Sequence, residues 1–80
     1  MRLKLTARKY TENNGMVATE LFGVKATTEI EVTTLNEAAK EAQAFASLHA
    51  PANVWVTPLD KRKPKGFDRW NANSAARYLA

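Results

Sequence analysis

Along residues 2–8, Arg2-Leu3-Lys4-Leu5-Thr6-Ala7-Arg8, polar and apolar side chains alternate with a period of two. This is the pattern of a half-buried strand, with Leu3, Leu5 and Ala7 facing a core and Arg2, Lys4, Thr6 and Arg8 facing outward. Asn13-Asn14-Gly15 is a turn signal, because Asn and Gly tolerate the positive φ that tight hairpins require. Met16 to Phe22 reads as the returning strand, although its poor alternation leaves its faces unassigned. Gly23 breaks or bulges the ladder. A third extended segment then runs from about Lys25 to Thr33, rich in β-branched residues, with Thr28, Ile30 and Val32 on one face and Glu29 and Glu31 on the other.

The next stretch changes period. Thr34-Leu35-Asn36-Glu37 is a capping box, in which the Thr34 hydroxyl accepts from the Glu37 amide while the Glu37 side chain reaches back. The residues that follow, LNEAAKEAQAFASL, are almost all good helix formers. Leu35, Ala38, Ala42, Phe45 and the alanines at 39 and 46 form one stripe at helical spacing, so a helix able to sit close on a sheet is expected. Pro51 ends it. His49 near its C-terminus is favourably placed against the helix dipole, which points to a capping or surface role rather than to chemistry.

Ala52 to Thr57 alternates again. Val54 and Val56 point one way and Asn53, Trp55 and Thr57 the other. If the valines lie under the helix, Trp55 falls on the open face beside the outward residues of the first strand. A basic stretch, DKRKPKGFDRW, follows at residues 60–70, and Asn71 or Asn73 can then cap a short terminal helix carrying Arg77 and Tyr78. The order strand, strand, strand, helix, strand predicts a single α+β domain over residues 1–80. Its expected form is an antiparallel sheet of about four strands covered on one face by one helix.

Composition narrows the functional classes. Eighty residues leave no room for a second core. With no cysteine there are no disulfides or thiolate metal sites, which fits a reducing compartment such as the cytoplasm. The longest apolar run is far short of a membrane span, and the alternating N-terminus does not resemble a signal peptide. The net charge of +4 is unevenly placed, as +3 over residues 1–15, −3 over 16–48 and +4 over 49–80. If the two basic ends meet in space, they form one surface able to attract a polyanion or an acidic protein. The other reading is that the acidic middle pairs with them across the sheet.

Catalytic equipment is hard to assemble from these residues. Ser47 sits inside the helix, Ser74 lies near the C-terminus, and His49 is the single histidine. Glu29 and Glu31 lie on an outward strand face and Glu37 and Glu41 on the helix surface, no phosphate-binding glycine loop exists, and no oxygen cluster is spaced for a metal. No enzyme activity and no cofactor are therefore expected. What remains is binding. Lys61, Arg62, Lys63, Lys65 and Arg69 are the expected contact residues, with Trp55, Lys4 and Arg8 as a second patch. Trp55 and Trp70 offer planar surfaces for stacking, while Phe67 and Trp70 read more readily as core anchors. An Arg and a Trp at the centre of a protein interface would carry the same signature.

The run TEIEVTTLNEAAKEAQAFASLHAPANVWVT, a strand feeding a capped Ala-rich helix and returning as a strand, is similar to many small phage-encoded proteins. Together with the hairpin and the KG...RW-like terminal segment, it resembles some anti-CRISPR proteins in architecture. That resemblance implies an inhibitor, acting in the host cytoplasm, that occupies a nucleic-acid-binding surface of a CRISPR effector complex. Because this chain is basic, it departs from the acidic DNA-mimic version, and would engage acidic protein, guide RNA or DNA. TTLNEAAKEAQAF also resembles the helix of arm-type DNA-binding domains of tyrosine integrases, although those domains do not need the strand ANVWVT. The expected partner is accordingly a host protein or ribonucleoprotein complex, with direct DNA or RNA binding as the alternative. A homodimer through the exposed sheet face is a third possibility.

Overall fold

The computed structural model describes residues 1–13, 16–60, 66–67 and 78–80. A strand β1 (Arg2–Asn13) is followed by a second, β2 (Met16–Glu31), a helix α1 (Leu35–Leu48) and a third strand β3 (Asn53–Pro58). The sheet is antiparallel with order β2-β1-β3, and α1 packs on one of its faces. The α+β two-layer architecture is therefore the one the pattern predicts.

The strand count differs from the expected four. Met16–Phe22 and the segment from Lys25 belong to one strand, which stays paired to β1 past Gly23. The irregularity foreseen at Gly23 is present as two shifts of register. Ala7 pairs with Ala26, Arg8 with Val24 and Tyr10 with Thr19, so β2 accommodates its extra residues without leaving the ladder. At the hairpin end Asn13 pairs with Met16, which leaves two residues to connect the strands, as the Asn-Gly signal requires.

Because β1 is central, its alternation organises both layers. Leu3, Leu5 and Ala7 are buried, as are Val54 and Val56 beside them and Val32 at the end of the hairpin. The helix meets this surface with Ala38, Ala42 and Ala46, each fully buried, while Leu35, Ala39 and Phe45 pack at the margin. Three alanines on successive turns let the helix backbone approach the sheet closely. Phe67 and Tyr78 complete the core.

The helix ends are closed in different ways. At the N-terminus the Glu37 amide donates to the Thr34 hydroxyl at 3.1 Å, as the capping box predicts. The Glu37 carboxylate reaches one residue further back than expected, accepting from the Thr33 amide at 3.1 Å and the Thr33 hydroxyl at 2.9 Å. These bonds, with Lys40 nearby, hold its carboxyl below its ordinary pKa. At the C-terminus His49 is the capping residue, and its ring meets the Phe45 ring edge-on at 4.6 Å. The cation serving this end comes from the sheet: the Lys25 ammonium donates to the carbonyls of His49 at 3.0 Å and Pro51 at 2.9 Å. The sequence pattern did not signal this bond, which crosses from strand to helix.

The last three residues run beside β3. The Ala52 amide donates to the Ala80 carbonyl, the Ala80 amide donates back to Ala52, and the Val54 amide donates to the Tyr78 carbonyl. Tyr78 is thus a buried residue bonded to the edge of β3 rather than part of a terminal helix; residues 71–77 of that expected helix lie outside the described residues. Backbone pairing outcompetes helix here because Ala52 and Val54 offer an unpaired edge and the core accepts the ring.

Two outcomes test this packing. Ala42→Leu should cost about 1–3 kcal/mol in denaturant unfolding, since added methylenes must push the helix off the sheet. For Glu37, the depressed pKa means that its contribution is present above the unfolded carboxylate range and lost as pH falls through the lower folded value. The difference in Tm between the wild type and Glu37→Gln should therefore be present at neutral pH and shrink on acidification.

Candidate interaction face

The face of the sheet opposite α1 carries the outward residues of all three strands. Cross-strand register places Thr6 between Thr27 and Trp55, Lys4 between Glu29 and Thr57, and Arg8 opposite Asn53. Trp55 is 40% exposed, so this face displays a large aromatic surface that folding leaves in water. The Arg8 guanidinium carbon lies 6.0 Å from the Trp55 ring centroid, within cation–π range. Thr6, flanked by Trp55, is only 7% exposed even though it points away from the helix. Next to this ridge is a shallow depression lined by Lys4, Thr27, Glu29 and Leu59.

The face is mixed in charge. Glu29 and Glu31 are exposed on its β2 side, and Glu29 forms a salt bridge with Arg2 at 3.7 Å. Acidic residues thus do pair with the basic first strand, as one reading of the charge pattern has it, and Lys4 and Arg8 lie on the same face; whether the two basic ends meet falls on residues outside the described ones.

Trp55, Lys4 and Arg8 share this one face, as the alternation predicts. They extend along it rather than converging on a point, since residues 4 and 8 of a strand are roughly 13 Å apart. Lys61, Arg62, Lys63, Lys65, Arg69 and Trp70 lie outside the described residues. Of this stretch, Asp60, Gly66 and Phe67 are described. Asp60 accepts from the Arg2 amide at 2.8 Å, and the Leu59 amide donates to the Arg2 carbonyl at 3.0 Å. On the far side Gly66 adopts φ +84°, a conformation that favours glycine, and Phe67 is 1% exposed. The first residue of the basic stretch is therefore a structural acceptor beside the start of β1, and Phe67 is a core anchor. Sequence reading missed the role of Asp60, which follows only from register.

Among the described residues no group of three or more acidic or histidine side chains could hold a metal ion. No helix among them is long and apolar enough to cross a membrane. No known family model, characterised protein or solved structure matches the chain.

The Arg8–Trp55 contact should be measurable. A double-mutant cycle of Arg8→Ala and Trp55→Ala in chemical unfolding should give a coupling of about 0.5–1 kcal/mol, the scale of an exposed cation–π pair. Purely additive losses would mean that the two side chains do not interact in solution.

Proposed function

We propose that this protein is a non-enzymatic binding module that engages a partner protein through the helix-free sheet face centred on Trp55. The supporting observation is the exposure of a Trp, with an Arg guanidinium 6.0 Å from its ring, on a strand whose opposite face is sealed in the core. Trp and Arg are the residues that most often dominate the centre of protein interfaces. The mixed charge of the face also favours a protein, because Glu29 and Glu31 would repel a polyanion lying across all three strands. The resemblance noted above supplies a candidate partner, a CRISPR effector complex, with the chain as its inhibitor. In this reading Trp55, Lys4 and Arg8 are contact residues on this face, and Lys61, Arg62, Lys63, Lys65 and Arg69 are further contact residues.

Direct binding of single-stranded DNA or RNA is the second reading. Trp55 with Arg8 and Lys4 supports it, since nucleobases stack on exposed aromatic rings while cations meet phosphates.

Salt dependence separates the two. Fluorescent single-stranded and duplex oligonucleotides would be titrated at about 50 and 200 mM salt, alongside purified CRISPR effector complexes. The protein-interface reading expects little oligonucleotide binding, and an affinity for an effector complex that falls about 30-fold or more with Trp55→Ala. Oligonucleotide affinity that drops on the order of 50-fold between the two salt concentrations, as four phosphate contacts would produce, would assign the protein to the nucleic-acid class. Loss of that binding on neutralising Lys61, Arg62, Lys63 and Lys65 would complete the case against the inhibitor.

A further inference from the structure

The two edges of the sheet are finished differently. In an antiparallel ladder each residue directs its N–H and C=O to the same side. The Leu59 amide bonds the Arg2 carbonyl, and Met1 exchanges two bonds with Val32, so the direction of every residue follows from register. In β3, the Asn53, Trp55 and Thr57 backbones face β1, and Val54, Val56 and Pro58 face away. Residues 78–80 cover that outer edge at Ala52 and Val54, and Pro58 has no N–H to offer.

In β2, Ala26, Thr28, Ile30 and Val32 face β1, whereas Thr27, Glu29 and Glu31 direct their backbone groups outward. The next outward amide, Thr33, is taken by Glu37. At the other end Lys25 is tied to the end of the helix. Among the described residues nothing pairs with the edge from Thr27 to Glu31.

This open edge adjoins an apolar groove on the helix side. Leu5, Thr28, Ile30, Phe45 and Leu48 line an open depression of about 300 Å³ with Glu41 as its one charged lining residue among the described residues, and Leu48 is 75% exposed. On the opposite face the same edge displays Glu29 and Glu31. A strand added here would place alternate residues in the groove and beside the two carboxylates. We propose that the β2 edge binds an extended segment of a partner protein in which basic and apolar residues alternate. Strand β1 shows the complementary chemistry on the other side of β2, pairing Arg2 with Glu31, Leu3 with Ile30 and Lys4 with Glu29. A second copy presenting its own β2 is the poorer occupant, because pairing centred on Glu29 sets like charges opposite one another. The inference does not rest on the proposed function: it uses the backbone edge of β2 and the helix-side groove, and shares only Glu29 and Glu31 with the face centred on Trp55.

The probe is a fluorescein-labelled, end-blocked peptide with the sequence of residues 2–8, read by anisotropy against the full chain. It should bind, and a peptide of the same composition without alternation should not. Thr27→Pro removes an amide that only an added strand would use, and should weaken binding by about tenfold while leaving β1–β2 pairing intact. Glu29→Lys with Glu31→Lys should weaken it on the order of tenfold, and a peptide with Glu in place of its basic residues should regain binding to that variant. Thermal melts check that each variant folds. Absence of binding, or binding indifferent to Thr27→Pro because the peptide displaces β1, overturns the proposal. A concentration-dependent dimer that excludes the peptide overturns it as well.

Discussion

Pairing of β1 on both of its edges is the constraint on which the rest of the structure depends. Only a central strand must satisfy two ladders and two faces at once, and its alternating residues do so with little compromise. Leu3, Leu5 and Ala7 supply the floor on which α1 rests, and their backbones hold β2. Arg2, Lys4, Thr6 and Arg8 carry the opposite face, and their backbones hold β3. A one-residue slip would turn the leucines to water and bury two arginines and a lysine, so the register is strongly specified. The alanine stripe of α1 then determines how near the second layer can come.

From this arrangement follows a division of surfaces. One face is sealed by the helix, while the other leaves Trp55 exposed beside the half-buried Arg8. The β3 edge is covered by residues 78–80 at Ala52 and Val54, whereas among the described residues nothing pairs with the β2 edge between the Lys25 and Glu37 contacts. Both contacts join the sheet to a helix end. They are structural bonds, and they also define where an additional strand could begin and stop. A chain of this size with little internal machinery presents most of its chemistry as surface, which is why binding rather than catalysis is the function we propose.

Much of this was legible in residue order. The alternation of β1, the helix cap at Thr34 and Glu37, the alanine stripe and the outward placement of Trp55 all express local periodicity, and local periodicity survives into the fold. What was not legible depends on register or on distant pairing. Lys25 looks like an ordinary strand cation until the bulge brings it to the His49 and Pro51 carbonyls. Asp60 looks like part of a charged loop until β3 delivers it to the Arg2 amide. Tyr78 follows a plausible helix cap, yet the open edge at Ala52 and Val54 draws it into backbone pairing. The division of β2 into two strands failed for a related reason: Gly23 can break a ladder or bend it, and pairing with β1 decides which.

The central claim is that β1 is paired on both of its edges and that, among the described residues, the β2 edge from Thr27 to Glu31 has no strand partner. Residue-resolved amide hydrogen exchange on the free protein tests it most directly. The account predicts slow exchange at Leu3, Leu5, Lys4 and Thr6, which donate within the two ladders, and at Thr28 and Ile30. Thr27, Glu29 and Glu31 should exchange far faster than their neighbours, in a strict alternation. Protection of Thr27, Glu29 and Glu31 equal to that of Thr28 and Ile30, or rapid exchange at Lys4 and Thr6, would contradict it.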